Sequence, residues 1–170
     1  MNTTQTIGAS LAGCTIAIVI LLFTLRTWWT GGRALKDLVI PVQGFLTGGL
    51  ATICVGGLAG WLSGCAVQVV SGAGGTAISS TTGTDAGAPI ATGSLGRLTE
   101  EGGVVTFVVF LALIASYKAA PKADKGRLLG CLAAGMVLCV TAGIAGALDG
   151  LPGLINEAGS AARGLLERQL

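Results

Sequence analysis

The sequence predicts an all-α, polytopic membrane protein with four transmembrane helices, glycine-rich helix packing and a C-terminal amphipathic helix. Three observations lead there. Four apolar segments, Ile7 to Leu25, Gly44 to Val70, Val104 to Ala120 and Leu128 to Leu148, carry no charged side chain deep inside them. At 1.5 Å per residue they reach roughly 28, 40, 26 and 31 Å, against a hydrocarbon core of about 30 Å. The mean hydropathy is +0.80 with only 11% charged residues, where a soluble domain carries about 25%. The charges also lie almost entirely between the apolar segments. A transmembrane domain is therefore expected over residues 1–150, with spans at about 7–25, 40–70, 103–120 and 128–148, followed by an amphipathic helix over 151–170.

The first ten residues hold no basic side chain, so the charged start of a secretory signal is missing. The apolar run ends in Leu25-Arg26-Thr27-Trp28-Trp29, a basic and aromatic flank typical of an interfacial anchor. The first segment is expected to be a retained helix anchored by Arg26, Trp28 and Trp29.

Pro41 stands near the start of the second segment. Proline fits the first turn of a helix, where its missing N–H has no partner to lose, so this helix is expected to begin near Ile40. Along it Gly44, Gly48, Thr52, Gly56, Gly60 and Gly64 recur every four positions, and five of the seven glycines between 44 and 64 fall on that stripe. Small residues at this spacing let helix backbones approach closely in lipid. The stripe is the candidate packing interface. Each step of four overshoots a full turn by about 40°, so Gly44 to Thr52 are expected to face one neighbour and Gly56 to Gly64 another. A weaker small-residue pattern in the fourth segment, with Gly130, Gly135, Ala142 and Gly146, makes the second and fourth segments the expected contacting pair.

Residues 71–102 are rich in glycine, serine and threonine. Such a composition buries too little apolar surface to fold alone and reads as a flexible external loop. Gly72-Ala73-Gly74-Gly75 lacks both the lysine and the spacing of a phosphate-binding loop. The third segment, opening Val104-Val105-Thr106-Phe107-Val108-Val109-Phe110, would be a buried strand in water. In lipid a lone strand leaves its amides unpaired, so a helix is expected, with Tyr117 and Lys118 anchoring its end.

Asp149-Gly150-Leu151-Pro152-Gly153 breaks the fourth helix. Beyond it Leu154, Ile155, Ala158, Ala161, Ala162, Leu165 and Leu166 keep to one helical face, with Asn156, Glu157, Ser160, Arg163, Glu167 and Arg168 on the other. This is the pattern of a helix lying on a membrane surface or docking on neighbouring subunits.

Seven of the ten basic residues lie in two segments, 26–37 and 118–127. The positive-inside rule places those in the cytoplasm, with both termini and the middle loop outside, in a multi-pass cell-membrane protein. The chain has no histidine, which excludes a Ser-His-Asp triad, a Cys-His dyad and His-containing zinc sites. Cys14, Cys54, Cys65, Cys131 and Cys139 all fall in apolar segments without a CxxC pair, as packing residues do. No cofactor, metal or nucleic-acid site is expected, and no enzymatic activity. The expected partners are the lipid bilayer and either further copies of the chain or other membrane subunits. Four spans and a glycine stripe are shared with the rotor-ring proteolipids of rotary ATPases, but the essential mid-helix carboxylate of that family is absent from every segment here. Two function classes remain: a packing subunit of an oligomeric membrane assembly, such as a secretion, DNA-transfer or injection apparatus, and a pore, small-solute channel or holin-like lysis protein walled by residues such as Thr47, Thr52, Ser63 and Gln68.

Overall fold

A computed structural model describes residues 9–54, 56–84, 88–91, 98–148 and 150–168. Among the described residues every named element is a helix, in the order α1 (Leu11–Thr30), α2 (Leu35–Ile53), α3 (Gly57–Thr82), α4 (Glu100–Ala119), α5 (Lys122–Cys139), α6 (Ala142–Ala147) and α7 (Leu151–Glu167). The expected start of the first span at Ile7, the helix-breaking Asp149, and residues 85–87 and 92–97 of the expected external loop lie outside the described residues.

Local chemistry sets the ends of α1 and α4. Ser10 caps α1, its hydroxyl accepting the Gly13 N–H at 3.1 Å, and Gly31 closes the helix by donating to the Thr27 carbonyl at 2.9 Å. Thr99 caps α4 by accepting the Gly102 N–H at 3.2 Å. Glu100 and Glu101 in the first turn of α4 and Lys118 in its last complement the helix dipole. The β-branched third segment is thus helix, as the lipid argument requires.

α1 and α4 are long and apolar enough to cross a membrane, and α2 with α3 adds a third crossing if that bent pair is a single span. The expected second span over 40–70 is not one helix: α2 and α3 meet at a break with a bend of 108°. Gly57 there has φ +72°, a left-handed conformation open to glycine at little cost, and the Gly56-Gly57 pair is a weak helix former. The helix also begins earlier than expected, at Leu35, so Pro41 lies inside it and leaves one carbonyl of the preceding turn without its N–H partner. The expected fourth span over 128–148 breaks at Val140 and Thr141 between α5 and α6. Basic residues in their opening two turns set α2 and α5 apart from α1 and α4: Lys36 in α2, and Lys122, Lys125 and Arg127 in α5.

Two further segments differ from expectation. Helix α3 continues to Thr82, into residues expected as loop. Its hydroxyls return to their own backbone, Thr76 donating to Gly72, Thr81 to Ala77 and Thr82 to Ile78, which satisfies polar groups inside a helix that composition alone marks as loop. Farther on, Ile90 N–H donates to the Ala9 carbonyl at 2.9 Å and Leu11 N–H to the Ala88 carbonyl at 3.1 Å, tying this part of the loop to the start of α1.

α5 is the hub. Its most extensive contact is with α2, and it also packs on α1 and α3. Gly44 faces Leu128, Gly48 faces Leu132 and Gly49 faces Cys139, so α2 and α5 run in the same direction. Thr24 of α1 meets Cys131, while Cys14 and Ala17 cluster with Ala134, Val137 and Leu138, so α1 runs against them. α4 joins α5 through the short Ala120-Pro121 turn, and Tyr117 lies beside Leu128 and Leu129. The basic segments 26–37 and 118–127 therefore gather at one end of the bundle.

Many small side chains face inward and many large apolar ones outward, although Leu50, Ile53, Leu128 and Met136 are buried as well. Alanine, glycine, cysteine and threonine make up much of the buried interior, including Ala12, Ala17, Ala51, Ala134, Cys131 and Thr47. Large apolar groups point outward: Phe23 is 70% exposed, Leu58 85%, Trp61 66% and Phe107 64%.

Candidate helix-packing interface

Small residues position α2 against α5. A Cβ on Gly44 would sit 2.6 Å from the Leu128 carbonyl oxygen, one on Gly48 would overlap the Leu132 carbonyl and approach the Met136 nitrogen at 3.0 Å, and one on Gly135 would overlap the Phe45 carbonyl. In each case the obstacle is backbone, so the separation of the two helices depends on these positions having no side chain. Thr47 lies fully buried on α2, and its hydroxyl donates to the Gln43 carbonyl at 2.7 Å within its own helix.

The six stripe residues separate into two groups. Gly44 and Gly48 are buried against α5. Thr52 is half-buried and donates to the Gly49 carbonyl at 2.7 Å. Gly56 is exposed at the break, and a Cβ there meets open space, so it packs on no neighbour as expected of it. Gly60 is half-buried and Gly64 buried on α3. The break between α2 and α3 interrupts the stripe, leaving Gly44 and Gly48 on one helix and Gly60 and Gly64 on the next.

A second set of close approaches was not read from the sequence. A Cβ on Gly74 of α3 would lie 2.8 Å from the Ala12 carbonyl carbon, and one on Gly13 would lie 3.1 Å from the Ser71 Cα. Ser71 Oγ accepts the Ser10 N–H at 3.3 Å. The signal was present as Ala9, Gly13 and Ala17 at four-residue spacing, a small-xxx-small run whose alanines are ambiguous because they suit any helix. A third set joins α4 and α7: a Cβ on Gly159 would sit 2.6 Å from the Glu101 carbonyl carbon. Asn156 Oδ1 accepts the Thr99 N–H at 3.0 Å, and Arg163 pairs with Glu101 at 2.9 Å and with Glu167 at 2.7 Å. Those two bonds, Glu167 first and Glu101 second, hold the Arg163 guanidinium more firmly protonated than usual. Asn156 and Arg163 of α7 therefore reach α4 and Leu151 and Ile155 pack against the core, while apolar Leu154 and Leu165 are exposed.

The residues expected to act as membrane-interface anchors cluster at the basic end. Trp28 and Trp29 pack edge to face with centroids 6.2 Å apart. Trp28 donates its indole N–H to the Ala34 carbonyl at 2.9 Å, and the Arg33 guanidinium lies 3.7 Å above the Trp29 ring. Arg26 and Lys118 are exposed. Tyr117 receives Lys125 Nζ at 5.3 Å from its ring. Arg33 was not singled out as an anchor in the sequence, since its stacking depends on a turn in which it takes φ +59°.

The five cysteines are free. Among the described residues no group of three histidine, cysteine, aspartate or glutamate side chains is placed to hold a metal ion. No protein-family model, curated protein or solved structure matches the chain.

Proposed function

We propose that the protein is a non-enzymatic, multi-pass integral membrane protein that acts as a packing subunit of an oligomeric membrane assembly, of the kind found in secretion, DNA-transfer or injection machinery. The observation that carries this reading is the outward display of large apolar side chains. Phe23, Leu58, Trp61 and Phe107 stand exposed, while glycines such as Gly44, Gly48 and Gly135 sit at the closest helix contacts. In water such a surface would cost about 25 cal/mol for each Å² of exposed apolar area. In lipid it costs nothing, and association is driven by close backbone packing.

The four-span topology supported by charge keeps the basic segments 26–37 and 118–127 cytoplasmic and both termini outside. Their gathering at one end of the bundle supports it. The glycine stripe then serves two purposes, with Gly44 and Gly48 fixing α2 on α5 within one chain and Gly60 and Gly64 lying on α3. Subunit contacts fall to surfaces left open, among them the apolar side of α7 with Leu154 and Leu165. A pore wall finds less support, because Thr47, Thr52 and Ser63 donate to carbonyls of their own helices. The test is purification in mild detergent followed by mass measurement and reconstitution. A discrete ring or array without conductance in vesicles supports a packing subunit. A monomer, or ion conductance above the empty-vesicle level, contradicts it.

A further inference from the structure

Between α1 and α2 lies a groove of about 290 Å³ walled by Leu21, Leu25, Leu38, Val42, Phe45 and Leu46. Thr24 and Cys131 form its buried floor, where the Cys131 thiol approaches the Thr24 hydroxyl at 3.7 Å. That hydroxyl is already committed to the Ile20 carbonyl at 2.8 Å, so the floor offers little to a polar ligand. Leu25, Val42 and Leu46 remain exposed along the walls, which makes the groove open to lipid in the membrane reading proposed above, on which this inference rests.

The two walls are joined across one end of the groove by the turn 31–34, and the segment around it carries Arg26, Arg33 and Lys36 against the single acid Asp37. The turn is held in shape. Gly31 N–H donates to Thr27, Arg33 N–H to Trp28, and the Trp28 indole to Ala34, with Arg33 stacked on Trp29. An apolar groove beneath an ordered basic turn matches a molecule with an anionic head and a long hydrocarbon tail. Basic segments at a membrane interface attract anionic lipids at about 1 kcal/mol per charge, while the tail gains contact with the groove walls.

We infer that the groove holds an acyl chain of an anionic phospholipid, with its phosphate at the basic segment 26–37. The partner is a lipid of the surrounding bilayer, and the chemistry that selects it is negative charge at the headgroup. Native mass spectrometry of the full chain, extracted from membranes in mild detergent and supplied with phosphatidylglycerol or phosphatidylcholine, tests this. The expected result is several-fold greater retention of phosphatidylglycerol. The double variant R26Q/K36Q abolishes that preference while keeping the fold, and Val42→Trp, which fills the groove, lowers retention of both lipids. Equal retention of the two lipids by the native chain overturns the inference, as does a preference unaltered in R26Q/K36Q, which does not depend on Val42→Trp folding. A chain in the membrane fraction that shows no preference loses this inference alone, whereas recovery of the chain from the aqueous fraction ends the membrane reading as well.

Discussion

Replacing Gly48 by leucine tests whether backbone contact fixes the bundle. A Cβ at this position would overlap the Leu132 carbonyl oxygen and stand 3.0 Å from the Met136 nitrogen. Both obstacles belong to the α5 backbone, so no rotamer change relieves them and the two helices must move apart. Overpacking a tight interior costs about 1–3 kcal/mol. Better helix propensity returns up to about 1 kcal/mol, which softens a Gly48→Ala change more than a leucine one. With that return the net cost is about 0–3 kcal/mol, so at about 2–4 °C per kcal/mol for a chain of this size Gly48→Leu should lower the melting temperature in detergent by up to about 12 °C, read by loss of the monodisperse peak in size-exclusion chromatography after heating. Gly56→Leu is the control. It adds a side chain where the structure has open space, at an exposed position whose φ of −158° any residue adopts, and should shift the midpoint little. Equal effects of the two substitutions would refute the reasoning, because glycine count rather than backbone proximity would then decide stability.

Gly135→Leu should behave like Gly48→Leu, since its Cβ would overlap the Phe45 carbonyl across the same contact; melting in the same assay checks it, and a stability equal to the native chain contradicts the geometry. Gly159→Leu should detach α7 without unfolding the rest, because its obstacle is the Glu101 backbone on α4. Limited trypsin digestion should then cut sooner at Arg163 while the melting midpoint of the bundle holds, whereas unchanged digestion would mean that α7 is held by something else. Single cysteines introduced at Ser80 and at Lys122 should react with a membrane-impermeant maleimide from opposite faces of sealed vesicles. Labelling from one face would overturn the topology.

What the sequence made legible follows from which signals are periodic. Gly44 and Gly48 point along one face because their spacing matches the helix, and the partner on α5 was foreseeable from Gly135, whereas Gly130 faces Ile20 of α1. Periodicity carries no stop mark, however. Gly56 continues the stripe in sequence, yet α2 ends at Ile53 and α3 opens at Gly57 with φ +72°. Composition misled over 71–82, where serine and threonine look solvated but bond to their own carbonyls. The amphipathic pattern of α7 was correct as a pattern. Which side docks was not readable, because Asn156 and Arg163 find partners in Thr99 and Glu101 far away in sequence. The run Ala9, Gly13 and Ala17 carries little signal, since alanine is at home on every face of a helix.

The account depends on large apolar side chains facing hydrocarbon. A nitroxide label at Phe107, 64% exposed on α4, measures this directly when the protein is reconstituted in vesicles and its relaxation by dissolved oxygen is compared with that by a water-soluble nickel chelate. The account predicts strong relaxation by oxygen and weak relaxation by the chelate. The reverse order would place Phe107 in water and contradict it.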